Sequence, residues 1–309
     1  MREEGLSDHS DSHTPETTEA LLPVDPQGVA SLWRVDEHSV TELEPSGPGG
    51  DGRAGNVRPV DAGLVIVIVL ATFVGAVFQR IAGIGFALML APFMVVLLGP
   101  HGGVLFVNLL GAVAPALIIP QVRSRIDPVM FRRLVIPAVI ATVPGVLLTL
   151  MMPTPPMSIA VGLMVMIGLG VAVVMRSSGR PRDSIGLQYA TGAAAGLTSA
   201  VAGVGGPALT AYALISRWDL RTFAATIQPF FVVIGVVGFG MKLLLDPSQM
   251  PELPIWGWIG AMAAIIMGIW AGARLEPYLP DHVVRILVIV IGFIGAALAL
   301  VQGILGLLA

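Results

Sequence analysis

Two glycine clusters hold the residues of this chain best suited to chemistry. Ile81-Ala82-Gly83-Ile84-Gly85 recurs 120 residues later as Val201-Ala202-Gly203-Val204-Gly205, which runs on into Gly206 and Pro207. Glycine lets backbone leave a helix or approach a ligand closely, and proline favours the first position of a new helix. A helix that breaks at residues 83–85 and restarts at Phe86 presents an N-terminus there, and a break at 203–206 with a restart at Pro207 does the same. Such ends carry unpaired N–H groups and partial positive charge, which draw anions. The competing reading of each cluster is close packing of small residues between helices.

Polar side chains beside the clusters extend this pattern. Arg80 adjoins the first cluster. It could hold an anionic oxygen bidentately, or snorkel to the cytoplasmic surface and set topology alone. The 120-residue offset also places Asn108 on Gln228, two carboxamides inside apolar runs. Ser199 lies level with the second cluster, as do Gln79 and Thr198 with theirs; each can bond a solute or cap freed backbone. The candidate anion-binding set is therefore Gly83, Gly85, Gly203, Gly205, Gly206, Pro207, Arg80, Asn108, Gln228 and Ser199, with no catalytic residue and no metal ligand.

What the chain lacks narrows the chemistry further. With no cysteine, thiolate catalysis, disulfides and cysteine-based metal sites drop out. The five histidines (9, 13, 38, 101 and 282) form no metal-spaced pair inside an apolar run, so no metal or other cofactor is expected. One lysine and no basic patch argue against a nucleic-acid partner. No Asp, Glu or His falls well inside a run, and Asp61 and Lys242 sit at run edges. Proton relays use buried carboxylates or histidines, and Ser199 has no in-run base to activate it. An enzyme is not expected; a small anionic solute is.

The elements that position these residues follow from composition. Of the 309 residues 55% are apolar and only 12% charged, and mean hydropathy is +0.85, which excludes a soluble globule. Residues 1–59 are acidic and rich in Ser, Thr, Pro and Gly, and residues 1–60 hold 12 of the 20 acidic side chains. This segment is expected to be a disordered tail, with VASLWRV (29–35) as its one apolar cluster. From Val60 onward, apolar runs span 61–79, 84–98, 103–121, 134–151, 156–175, 185–202, 205–216, 222–244, 255–273 and 283–306. Runs 84–98 and 205–216 are short, and each begins at a glycine cluster. Full crossings need about 20 residues, so the fold class is an all-α integral membrane protein of eight to ten apolar segments. Arg residues fill every second break, while GPHGG (99–103), MPTPP (152–156) and DPSQMPELP (246–254) contain neither Arg nor Lys. The positive-inside tendency puts the Arg-bearing breaks in the cytoplasm and both termini outside. Each half holds an odd number of runs, so a repeat of 60–182 in 183–309 would be inverted.

This arrangement resembles the TauE/SafE sulfite exporter family over about residues 62–307. The resemblance rests on FVGAVFQRIAGIGFALMLAP (73–92) and its echo AAAGLTSAVAGVGGPALTAYAL (193–214), each a glycine-rich break opening a short apolar run. It implies a multi-span carrier for sulfur-containing anions such as sulfite, sulfonates or thiosulfate, and it places the shared motifs at Gly83, Gly85, Gly203, Gly205, Gly206 and Pro207. The first cluster departs from the second, with Phe86 and Ala87 where Gly206 and Pro207 stand. The expectation is a secondary carrier in the plasma membrane, working by alternating access, with the lipid bilayer as surroundings and room for a homo-oligomer. A passive anion channel, or a membrane scaffold acting through the acidic tail, is the alternative.

Overall fold

The computed structural model describes residues 61–83, 86–174 and 183–308. The acidic tail with its VASLWRV cluster, Ile84 and Gly85, and the Arg-bearing break at 175–182 lie outside the described residues. Most of the described residues are helical, and they belong to the unit Arg58–Ala309. The helices are α1 (Ala62–Ala82), α2 (Phe86–Val122), α3 (Pro128–Met151), α4 (Thr154–Val174), α5 (Ile185–Ala202), α6 (Gly206–Ser216), α7 (Leu220–Leu245), α8 (Ile255–Leu275) and α9 (Asp281–Leu308). Gly99, at φ 75° and ψ 162°, divides α2 into segments 86–98 and 100–122, so the ten apolar runs read from sequence are all present as helical segments.

Local chemistry sets the helix ends. Asp61, Asp127, Ser184 and Asp219 accept backbone N–H bonds at the starts of α1, α3, α5 and α7. Each satisfies donors that the first turn leaves without partners. Counting α2 as one, seven of these helices are long and apolar enough to cross a membrane. α5 and α6 are not among them: α5 carries Gln188, Thr191, Thr198 and Ser199, and α6 has 11 residues. At 1.5 Å per residue α6 covers roughly half of a 30 Å hydrocarbon layer.

Glycine faces bring the helices together. On α8, a side chain at Gly268 would meet the Phe73 carbonyl oxygen of α1 at 2.6 Å, and one at Gly272 would meet Arg80 Cβ at 2.8 Å. On α5, Gly192 and Gly196 lie in the same way on the backbone of Leu134 and Ala138 in α3. Both pairs space their glycines by four residues, the close-approach pattern of membrane helices. α4 packs along α9, with Gly303 beside the Pro155 carbonyl, and α2 crosses α7 at the centre. Residues of α2 such as Phe86, Leu90, Met94, Phe106 and Leu110 form the middle of the apolar core. The outer faces stay apolar: Ile66 on α1, Ile140 on α3, Ile266 on α8 and Ile294 on α9 are more than half exposed. A soluble surface would not carry such a belt, and lipid requires one.

The three breaks without Arg or Lys converge on one vestibule of about 550 Å³, lined by Gly99, His101, Met152, Thr154, Gln249 and Pro251 among others. Val65 near the start of α1 packs on Gly257, and Gly306 near the end of α9 packs on Pro155. Both ends of the described helical unit therefore emerge on the vestibule side. Away from it, the Arg-bearing ends are tied by polar contacts: Asp127 N–H donates to Thr226 Oγ1 (3.0 Å), and Arg133 donates to Gln188 Oε1 (3.1 Å).

Candidate functional site

Both glycine breaks form where the sequence puts them. α1 ends at Gly83, which takes φ 72°, and its N–H bonds to the Gln79 carbonyl (2.9 Å). α5 ends at Gly203, which takes φ 73°, and its N–H bonds to the Ser199 carbonyl (2.8 Å). This left-handed backbone suits glycine and disfavours other residues.

Beyond that common closure the two breaks differ. At the first, Phe86 N–H donates to Gln79 Oε1 (3.2 Å), so a side chain caps the restart of α2. Gln79 Nε2 donates to the Gly83 carbonyl (3.3 Å) and approaches Gln228 Oε1 (3.5 Å), while Gln228 Nε2 donates to the Ala224 carbonyl (2.8 Å). At the second, no side chain caps the start of α6, where Gly205 precedes Gly206 and Pro207. Gly205 and Gly206, at this start, are buried.

A small cavity lies between the breaks. Gln79, Phe86, Asn108, Ser199, Gly203, Gly206 and Gly235 are among its lining residues, and no carboxylate is. Its room is about 30 Å³, enough for a water or two. Asn108 is 3% exposed, and its Nδ2 is buried without a hydrogen-bond partner among the described residues. Gly238 lies against that amide, and Gly235 lies on the Asn108 carbonyl, so α7 approaches α2 closely here because it has no side chains at these positions.

The structure thus brings Asn108, Ser199, Gly203 and Gly206 to one cavity. Gln228 stands one bond behind it, through Gln79. Gly205 and Pro207 pack behind the break, on the Ala195 carbonyl and on Gly168 respectively. Gly83 faces Ala224, and Gly85 is outside the described residues. Arg80 takes a different place: its guanidinium meets Glu276 at 2.9 Å, beyond the end of α8, with Gly272 against its stem. At the far end of α6, Tyr212 O–H donates to Asp183 Oδ1 (2.7 Å), as does Gln188 Nε2 (2.7 Å). These bonds hold the Asp183 carboxyl below its ordinary value, the tyrosine's contribution first.

One residue that sequence placed at an edge is fully interior. Lys242 has 0% exposure, and its Nζ has no partner among the described residues. It lies four residues past Gly238 and seven past Gly235, on the stripe of α7 that faces α2. That helical spacing was the available signal.

The model of one family, the sulfite exporter TauE/SafE family, matches residues 67–299, from within α1 to within α9. The chain belongs to this family. No curated protein and no solved structure matches it. TauE/SafE membership implies a membrane transporter of sulfur anions, in a family of transporters rather than enzymes. The matched span includes both glycine breaks and the cavity between them. Seven membrane-length helices and this membership make the TauE/SafE chain a multi-pass membrane protein whose solute is a small anion.

Proposed function

We propose that the chain is a secondary carrier of the plasma membrane that moves a small oxidised sulfur anion by alternating access, with the anion held in the cavity between the two glycine breaks. The observation that carries this reading is the small set of donors at an otherwise apolar cavity. It offers an unpartnered amide donor at Asn108, a hydroxyl at Ser199 and the uncapped N-terminus of α6 at Gly206, with no carboxylate among its lining residues. Buried donors without acceptors are costly, and an oxyanion supplies what they lack. Arg80 serves the Arg-bearing end through Glu276, and Gln79 with Gln228 shapes the first break.

The cavity's size favours a carrier over an open pore. Room for a water or two means the walls must part for an oxyanion to bind, so passage requires movement. An inverted pair of repeats, 60–182 and 183–309, gives that movement a basis. Its support is the packing: exchanging the halves turns the α1–α8 pair into the α5–α3 pair. The Arg-bearing ends then face the cytoplasm and the vestibule faces outward.

Counterflow tests the reading. Proteoliposomes loaded with unlabelled sulfite should accumulate labelled sulfite transiently above equilibrium, saturably, and Asn108→Ala should lower the initial rate at sub-saturating sulfite. Linear flux without counterflow would make the protein a passive path. No flux of sulfite, thiosulfate or taurine from folded protein would remove the sulfur assignment.

A further inference from the structure

Lys242 is the sole lysine among 17 basic residues, and it is wholly buried. An ammonium taken from water without a counter-charge is among the most unfavourable arrangements in a protein interior. Its surroundings offer little relief. Asp246, one turn further along α7, has both oxygens engaged: Oδ1 with the N–H (3.1 Å) and hydroxyl of Ser248, and Oδ2 with Gln249 Nε2 (3.1 Å). Glu252 is exposed at the vestibule rim. His101, on the facing helix α2, lines the vestibule, and its Nδ1 is buried without a hydrogen-bond partner among the described residues.

The position on α7 is as informative as the burial. Gly235 lines the cavity, Lys242 follows seven residues on, and Asp246 lines the vestibule. Seven residues of helix rise about 10 Å, so Lys242 stands between vestibule and cavity along the face that α7 turns to α2. We infer that Lys242 of α7, with His101 of α2 at the vestibule, is a second anion-binding position on the access path, where a small oxyanion leaves the vestibule before it reaches Asn108. This rests on the anion-carrier reading, which it extends from one site to a route. The transported solute is then the counter-ion that holds the Lys242 amine protonated.

The single lysine makes a direct test possible. Full-length protein labelled with ¹⁵N,¹³C-lysine, held in lipid nanodiscs, should give one lysine side-chain signal, to be followed during titration with sulfite. The signal should shift saturably, and should still do so in Asn108→Ala, in which transport falls. Lys242→Met keeps an apolar chain of similar length; shown folded by its melting temperature, it should have a KM for sulfite raised about ten-fold or more, the scale of a lost charge-assisted bond. A lysine signal unmoved by sulfite concentrations that saturate transport, or an unchanged KM in folded Lys242→Met, would overturn the inference and leave the carrier reading intact. A saturable shift in protein that moves no sulfur anion would keep the site and overturn the carrier.

Discussion

The first and second glycine breaks end their preceding helices alike, with left-handed glycines at φ 72° and 73° closing α1 and α5. They differ in the residue four positions earlier. Gln79 is long enough to bond the Phe86 N–H across the first break, whereas Ser199 holds the equivalent place in the second and leaves α6 uncapped. One break is closed by its own side chain; the other has no side-chain cap, and its Gly206 lines the cavity. Two breaks that close on the same left-handed glycine can thus divide the work, one supporting the structure and one offering N–H groups to a solute. The difference of a few side-chain atoms decides which is which, because a capped N–H has no free capacity for an anion.

Crowding the second break should produce the largest effect. At Gly205 a side chain would meet the Ala195 carbonyl at 2.8 Å and Ile234 Cδ1 at 3.3 Å. Gly205→Val should therefore abolish sulfite uptake while the protein still inserts into the membrane. Equal uptake at equal membrane abundance would remove the second break from the site. Next comes a transfer of the cap. Ser199→Gln gives the second break the side chain of the first, and should weaken sulfite binding roughly ten-fold, the scale of a charge-assisted hydrogen bond. Unchanged affinity by titration would mean that the α6 N-terminus does not hold the anion.

The reciprocal change should act mainly on stability. Gln79→Ala uncaps α2 and should destabilise by about 1 kcal/mol, read as a melting temperature lowered by a few degrees with sulfite affinity little changed. A large loss of affinity with stability intact would make the first break a binding element too. The smallest effect concerns the far end of α6. The Asp183 carboxyl is held below its ordinary value, chiefly by Tyr212 and then by Gln188. Its contribution to stability is present above about pH 4 and is lost as pH falls through the folded-state value. Asp183→Asn should flatten the melting temperature between about pH 5 and 3; an unaltered slope would show that this tether of α6 does not depend on the carboxylate charge.

Much of this was legible in the chain. Apolar runs, capping residues such as Asp127 and Asp219, and the placement of Arg gave the helical segments, their ends and a grouping of the breaks that the vestibule reproduces. The glycine clusters mark helix breaks in the sequence, and two of the three positive-φ glycines among the described residues, Gly83 and Gly203, fall within them. These features are local, set by burial pattern and backbone sterics within a few residues. Of the polar residues, sequence could give only depth. Asn108 and Gln228 looked equivalent, yet Asn108 borders the cavity with a free amide while Gln228 is bonded to Ala224 and Gln79.

What the sequence determined alone was therefore the membrane class, the segments, the two breaks and a family-level resemblance to the TauE/SafE proteins. Tertiary structure decided which donors remain unsatisfied. Gln79 meets Gln228 across 149 residues, Arg80 finds Glu276 beyond another helix, and Lys242 moves from an apparent edge to full burial because α2 covers its face of α7. No local period carries such pairings. A hydrogen bond is fulfilled or left open by the partner that packing delivers, and in this chain those partners come from the opposite half.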